Sequence, residues 1–263
     1  MERYFLAGST IFYLWGFAYS LVLLRVGKFR PGRLNLCAVV GGFTLQTGFL
    51  VVRGYLLGHF PVSGAFETLV FLSWSIALAS LVVGRIYRLS LLGLFAAPLV
   101  IGLQLVAWFR FAGLETVQLG PLVGEGELPM AMVLLAYGVL VVVVVAGVMY
   151  LVQERQLKMR VPGLIFHLLP PITNLSEAMQ RLLGFGVGLL TLGILAGLFA
   201  DESIGHGGSV ASLLVWIISA VILFLWSRNF LHSHRVAQVC LAAFLLLLGV
   251  LPAIHMLEGP GTK

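Results

Sequence analysis

The sequence predicts an all-α protein, a polytopic bundle of about eight transmembrane helices that forms one integral membrane domain over residues 1–263. Hydrophobic residues make up 60% of the chain and charged residues only 10%, whereas a soluble domain carries roughly 25% charged residues. The mean hydropathy is +1.06. A chain with so little polar surface cannot cover a water-soluble globule, so we expect membrane lipid to surround it.

The predicted helices are uncharged apolar runs that are long enough to cross a membrane. Crossing a bilayer core of about 30 Å takes roughly 20 apolar residues in a helix, and backbone groups in lipid must bond within their own segment. Suitable runs lie at 4–24, 34–52, 68–84, 89–109, 129–151, 182–200, 209–226 and 236–256. Two further uncharged runs, 54–66 and 161–176, contain prolines that would break a span.

The segments between these runs are mostly short. "RIYR" alone joins the third and fourth runs, which predicts that these two helices are antiparallel neighbours. Between the fifth and sixth runs, Leu175, Met179 and Leu182 recur at helical spacing after a proline pair. This pattern fits either a short amphipathic helix at the membrane interface or an extension of the sixth helix.

Lys and Arg residues predict the orientation of the bundle. The segments that follow the first, third, fifth and seventh helices hold most of the 16 basic residues. The positive-inside rule therefore places these segments in the cytoplasm and both termini outside. The net charge of +6 follows from the same segments, so we expect no nucleic acid partner.

Several classes of function are disfavoured by the pattern of polar residues. Apart from Gln46, Thr47 and Gln104, the helix centres are almost purely apolar, whereas pumps and permeases usually carry buried ionisable residues there. A small-solute permease is thus the weakest alternative. The sequence has no phosphate-binding loop, no HExxH and no CxxC. We therefore expect neither an enzyme nor a zinc protein, and we read Cys37 and Cys240 as packing residues.

Three histidines are predicted to lie at the extracytoplasmic ends of helices: His59, His206 and His255. Haem suits such a place, because it is a flat apolar ring whose iron takes one or two axial His or Met ligands. We expect His206 and His255 as ligands of haem iron, with Met130 or Met256 as softer ligands. The alternative is that each histidine only bridges water and lipid headgroups.

Charged residues at the same end of the bundle could complete a haem site. Arg53 and Arg110 could pair with the haem propionates, or they could extend to lipid headgroups. Glu67 lies near the start of the third helix, where it could orient a ligand histidine or handle a proton. Alternatively, Glu67 reaches water or the free backbone donors of the helix start.

The stretch "RGYLLGHFPVSGAFETLVFLSWS" at 53–75 resembles the cytochrome c assembly family of CcsA and ResC type. The residues that fit the family pattern are Arg53, His59, Phe60, Pro61, Ser63, Glu67, Leu69, Phe71, Leu72, Ser73, Trp74 and Ser75. The segments 134–158 and 169–199 are similar to the central helix and the later half of the family. The resemblance therefore covers most of the chain.

One hallmark of the family is missing from this sequence. Members that present haem carry a tryptophan-rich external segment, but here "FADESIGHGGSV" stands in its place. The family's histidines before the central helix and in the seventh helix have no counterpart near Met130 or at 224–226, whereas its last external histidine has a counterpart in His255. The sequence thus resembles the HemX-like branch, which lacks the tryptophan motif.

The resemblance implies a membrane accessory factor in cytochrome c biogenesis, located in the bacterial inner (plasma) membrane. Taken together with the residues at the extracytoplasmic helix ends, it predicts haem b at the external face, with His255, His206, His59, Arg53 and Glu67 as site residues. It also implies a protein partner in cytochrome c maturation or a haem-related complex. The alternative is a protein that binds no haem and stabilises a partner complex or a haem-synthesis enzyme. In that case the cytoplasmic segment 152–181 would carry the function.

Overall fold

A computed structural model describes residues 2–26, 33–58, 60–62, 64–87, 91–111, 127–159, 171–199, 206–228, 230 and 232–244. All regular secondary structure within these ranges is helical. The helices are α1 (Glu2–Arg25), α2 (Arg33–Leu57), α3 (Ala65–Ile86), α4 (Leu92–Phe111), α5 (Glu127–Met159), α6 (Ile172–Phe199) and α7 (His206–Ser227). An eighth helix, α8, is described over 233–244. The predicted all-α membrane bundle is thereby confirmed.

Each predicted run has a helix in the structure, although the evidence for a membrane span differs among them. Six helices, α1 to α6, are long and apolar enough to cross a membrane, and α7 contributes a shorter apolar stretch, 211–227. The described part of α8 covers only the beginning of the eighth run. The count of eight spans and the location of both termini stay predictions.

The helices alternate in direction, so the odd-numbered helices begin at the same end of the bundle. There, Glu2 of α1 and Glu67 of α3 both contact Arg53 near the end of α2. Glu127 at the start of α5 accepts a hydrogen bond from the backbone of Phe60. We call this the outer end, because the positive-inside rule predicts that it is extracytoplasmic, and we call the opposite end the inner end.

Two helices are much longer than a bilayer requires. α5 has 33 residues and α6 has 28, which correspond to about 50 and 42 Å at about 1.5 Å per residue. The segment after the proline pair is not a separate interfacial helix, since α6 is continuous from Ile172. Of the two alternatives for this segment, the structure has the extension of the sixth helix, and it projects at the inner end.

α5 forms the centre of the bundle, and its middle part is buried on all sides. Its five consecutive valines, 141–145, are each at most 8% exposed, which explains why this run is apolar on every face. α5 approaches α3 closely at Gly138, where a Cβ atom would lie 2.4 Å from the Cβ of Ser75. The glycine therefore allows the two backbones to meet, as small residues do between membrane helices.

Candidate functional site

The guanidinium of Arg53 joins three helices at the outer end. Its Nη2 and Nε donate to one carboxylate oxygen of Glu67, at 2.8 and 3.2 Å. Its Nη1 lies 3.1 and 3.2 Å from the two carboxylate oxygens of Glu2. Arg53 is only 4% exposed and also lies over the ring of Phe66, 5.7 Å from its centroid. We call Glu2, Arg53 and Glu67 the outer triad.

The local sequence before α3 leaves room for one carboxylate of the triad. Gly64 is the N-cap of α3 in an extended conformation, with φ −97° and ψ 155°. A Cβ at Gly64 would lie 2.0 Å from Oε2 of Glu67, which is far closer than unbonded atoms approach. Glu67 lies in the first turn of α3, where the helix dipole favours negative charge. Glycine at the cap therefore allows Glu67 to fold back beside Arg53.

The outer triad accounts for Arg53 and Glu67 without any ligand. Hydrogen bonds to two carboxylates satisfy the guanidinium, which in turn compensates the buried carboxylate of Glu67 and the partly exposed carboxylate of Glu2. In the sequence, Arg53 and Glu67 stand out only one at a time, and nothing local marks Glu2 as their partner. The haem-related roles of Arg53 and Glu67 stay predictions, and the contacts described here give both residues a structural role.

The chain segment that follows His59 is fixed to α5. The backbone N–H of Phe60 donates to Oε2 of Glu127 at 2.7 Å. The carbonyl of Val62 accepts a hydrogen bond from the hydroxyl of Thr68 in α3 at 3.0 Å. The starts of α3 and α5 are therefore tied together at the outer end, next to the position of His59 in the chain.

A cavity of about 380 Å³ lies among α3, α5, α6, α7 and α8. Met130, one turn into α5, lines it near the outer end, and Ala211 and Ser212 of α7 line it as well. The deeper lining comprises Leu72, Val133, Leu134, Tyr137, Leu140, Val141, Val143, Val144, Leu183, Val215, Ile218, Ser219, Ile222, Cys240, Ala243 and Phe244. We call this space the membrane cavity. Its lining is almost entirely apolar, and no charged residue is among the lining residues that the structure describes.

The structure describes the side chains of only some of the predicted haem-site residues. His206 begins α7, five residues before Ala211, but its side chain lies outside the described residues. The same is true of the side chain of Arg110, while His59, His255 and Met256 lie outside the described residues altogether. In the part of the chain that is described, no three His, Cys, Asp or Glu residues group as metal ligands. Met130 is thus the one predicted ligand whose surroundings are seen.

A second polar cluster, at the inner end, was not anticipated as a unit. His234 in α8 contacts Glu154 in α5, and Lys158 pairs with the same carboxylate at 2.7 Å. Beside them, the hydroxyls of Ser176 in α6 and Ser233 in α8 are 2.7 Å apart. The spacing of Glu154 and Lys158 in one helix was a readable signal, whereas the contact with α8 needs the fold.

Comparison with known proteins identifies the relatives of this chain. A family model described as "Cytochrome C assembly protein" matches residues 62–259. "Protein HemX" of Brevibacillus brevis is 28% identical over 252 residues, with 92% of this chain and 89% of the relative covered.

Two further relatives support the same assignment. "Cytochrome c biogenesis protein CcsA" of Synechococcus sp. (strain CC9902) is 27% identical over 251 residues, with 83% of this chain and 82% of the relative covered. "Protein HemX" of Bacillus subtilis (strain 168) is 29% identical over 194 residues, with 72% and 70% covered. Because the family model spans well over half of the sequence, the chain belongs to the cytochrome c assembly protein family, in which it is similar to HemX-like members.

Proposed function

We propose that this integral membrane protein is an accessory factor in cytochrome c biogenesis that holds haem b at its outer end, without catalytic activity of its own. The family model and the names of the relatives support the link to cytochrome c biogenesis. The proposed location is the bacterial inner membrane, and the proposed partner is a component of a cytochrome c maturation or haem-related complex.

The observation that carries the proposal is the convergence of the starts of α3, α5 and α7 at the outer end. The hydrogen bond from Phe60 to Glu127 joins the first two, and the membrane cavity has Met130 on one wall and Ala211 on another. His206 precedes Ala211 by five residues, or about 7.5 Å along a helix. The outer end therefore gathers the chain neighbours of His59, the start of α7 with His206, and a thioether.

The donor set predicted for the outer end fits haem chemically. Bound haem would supply an iron that takes axial imidazole or thioether ligands beside an apolar ring. His206 and His255 are the proposed ligands, with Met130 or Met256 as softer ligands and His59 as a further candidate. The outer triad would keep α1, α2 and α3 in register around this site, so Arg53 and Glu67 would act by positioning.

The test is haem binding by the purified protein. The full chain in mild detergent, supplied with haem b, should show a Soret band, and His206→Ala and His255→Ala should each weaken or shift it. His232→Ala is the matched control, because His232 is exposed and lies at the inner end. The absence of a Soret band in both oxidation states, with haem in excess, would exclude direct haem binding.

A second candidate function is supported by the long helices at the inner end. α5 and α6 continue beyond the length that a bilayer requires and pack side by side, so they form a platform on which a partner complex or a haem-synthesis enzyme could dock. Leu157 is 47% exposed on this extension although it is apolar. The function would then require no haem.

The two functions can be separated on one sample. The protein would be purified from native membranes with its partners, and haem and partner proteins would both be quantified. Leu157→Glu should remove the partner if the extension docks it, whereas Leu198→Glu, an equally apolar exposed position at the other end of α6, should not. Retention of the partner by Leu157→Glu would exclude the docking role of this surface.

A further inference from the structure

We propose that the membrane cavity binds a neutral lipophilic carbonyl compound of the prenylated quinone class, whose ring oxygen accepts a hydrogen bond from Tyr137. This site lies deeper in the bundle than the haem site proposed at the outer end, although Met130 borders both, and it goes beyond the function proposed above. Four observations support it, namely an unused donor, the lack of charge among the described lining residues, the size of the cavity and the depth of Tyr137.

Tyr137 has a hydroxyl without a partner in the described structure. It lines the membrane cavity, and none of the described residues forms a hydrogen bond with it. By contrast, Tyr13 in the first half of the bundle donates to Gln46 at 3.1 Å. Buried tyrosine hydroxyls usually find a partner, and lipid offers none. The hydroxyl is protonated at neutral pH, so it can donate a hydrogen bond to a ligand in the cavity.

The other polar groups of the cavity do not compete with Tyr137 for a ligand. The hydroxyl of Ser219 already donates to the carbonyl of Val215, and Ser212 also has an interaction. Cys240 carries a free thiol, which is only a weak donor. Because no charged side chain is found among the described lining residues, the cavity suits an uncharged ligand and would disfavour a carboxylate.

The size of the cavity suits a small ring molecule with part of a tail. Its volume of about 380 Å³ lies within the range of small-molecule sites, roughly 300–1,000 Å³. Such sites combine an apolar lining with a few polar groups that fix orientation. Here the apolar lining would hold the ring and the first prenyl units, and Tyr137 would fix the orientation.

The depth of Tyr137 favours a quinone over a phospholipid. Tyr137 follows the first residue of α5, Glu127, by ten residues, which is about 15 Å along the helix. That distance is half of a bilayer core of about 30 Å. A phospholipid has its ester oxygens at the interface and only acyl carbons at the midplane. An acceptor at this depth must therefore belong to a molecule that dissolves in the core, as a prenylated quinone does.

The experiment measures binding of a ubiquinone with a single prenyl unit to the full chain in mild detergent, after endogenous lipid has been washed out. Wild-type protein should bind it saturably, and the infrared carbonyl band of the bound quinone should shift to lower frequency. Tyr137→Phe keeps the shape of the side chain but removes the donor. It should weaken binding about tenfold, the equivalent of one hydrogen bond, and abolish the carbonyl shift.

Two further variants and a competing lipid test whether the quinone binds in the membrane cavity and whether binding is specific. Ala243→Leu fills the cavity from α8 and should abolish binding, while Tyr55→Phe, at a tyrosine that is 86% exposed, should change nothing. Thermal unfolding of each variant shows that it is folded. Phosphatidylglycerol at equal concentration should not displace the quinone.

The proposal fails if folded wild-type protein binds no quinone saturably, if Tyr137→Phe binds it as tightly with the same carbonyl shift, or if phosphatidylglycerol displaces it. It also fails if Ala243→Leu removes a haem Soret band, because haem would then occupy the cavity. Failure of the haem proposal is recognised separately. His206→Ala should leave quinone binding unchanged, and Tyr137→Phe should leave any Soret band unchanged.

Discussion

The two halves of the bundle are held together by different means. In the half formed by α1 to α4, polar side chains bond between helices inside the apolar region. Gln46 accepts from Tyr13 and donates to the Val70 carbonyl and to Ser73, and Gln104 donates to Ser9 at 3.1 Å. The outer triad closes the same half at its outer end.

In the half formed by α5 to α8, the described residues form fewer polar bonds between helices in the apolar region, such as that from Trp216 to Thr191, and close packing around small residues contributes more. Gly186 and Gly193 of α6 lie so near α5 that a Cβ would come within 2.9 Å of Leu140 and 2.8 Å of Val133, respectively. The membrane cavity lies in this half, bordered by Leu72 of α3. The difference suggests that the polar contacts fix the geometry of the first half, while the second half keeps space for a ligand.

The largest effect is expected from the outer triad. Arg53→Ala would leave the buried carboxylate of Glu67 without a counter-charge and would remove the partner of the partly exposed Glu2. Breaking a buried pair in this way costs about 3–5 kcal/mol. The free energy of unfolding, measured by detergent denaturation in mixed micelles, should fall by about this amount.

Arg181→Ala is the control for that experiment. Arg181 also pairs with a glutamate, Glu177, but both side chains are more than half exposed, and such pairs contribute about 0.3–0.5 kcal/mol. If Arg53→Ala and Arg181→Ala lower the free energy of unfolding equally, the outer triad does not stabilise the first half more than an exposed ion pair does.

The next largest effect concerns the contact between the halves, at α3 and α5. Gly138→Ala would place a Cβ 2.4 Å from the Cβ of Ser75 and 2.9 Å from its backbone carbon. Since relieving this overlap would require the backbone of α3 to shift, we expect a loss of up to about 3 kcal/mol in the free energy of unfolding. Gly184→Ala is the matched control, because nothing among the described residues lies within 4 Å of its Cβ position. If Gly138→Ala leaves the free energy of unfolding unchanged, the halves are not in close contact there.

The polar network gives the third prediction. Gln46→Leu removes three hydrogen bonds and leaves the hydroxyl of Tyr13 without its acceptor, so the free energy of unfolding should fall by about 2 kcal/mol. Gln180→Leu, at an exposed position of α6, should be nearly neutral. If both glutamines prove neutral, the polar contacts do not distinguish the first half energetically.

The sequence was sufficient for the fold because one constraint dominates it. Backbone groups in lipid must all be hydrogen-bonded, and an uncharged run as long as 129–151 satisfies them as a helix. The boundaries were harder to predict. α5 and α6 continue past their apolar runs to Met159 and back to Ile172, because packing between two helices can stabilise polar turns that hydropathy alone does not favour.

The candidate site was less predictable, since it depends on which helices meet. Glu67 and Arg53 were recognised as unusual, but their partner Glu2 is 51 positions from Arg53 and carries no local signal. Tyr137 was not singled out either, because a tyrosine in an apolar run looks like a packing residue until its surroundings show an unused hydroxyl. Pairings across helices require the tertiary structure.

The smallest effect is predicted for a kind of contact that occurs once in each half, a hydrogen bond from tryptophan to threonine. Trp74 donates its indole N–H to Thr47 at 2.9 Å in the first half, and Trp216 donates to Thr191 at 2.8 Å in the second. Thr47→Val and Thr191→Val each remove one acceptor between neighbouring helices, so each should lower the free energy of unfolding by about 0.6 kcal/mol.

Double-mutant cycles with Trp74→Phe and Trp216→Phe would isolate the coupling from the loss of each threonine's bond to its own helix. Equal coupling in the two cycles would confine the difference between the halves to the outer triad, the glutamine network and the cavity. A coupling much weaker in the second cycle would instead mean that α6 and α7 move relative to each other, as entry of a ligand into the membrane cavity would require.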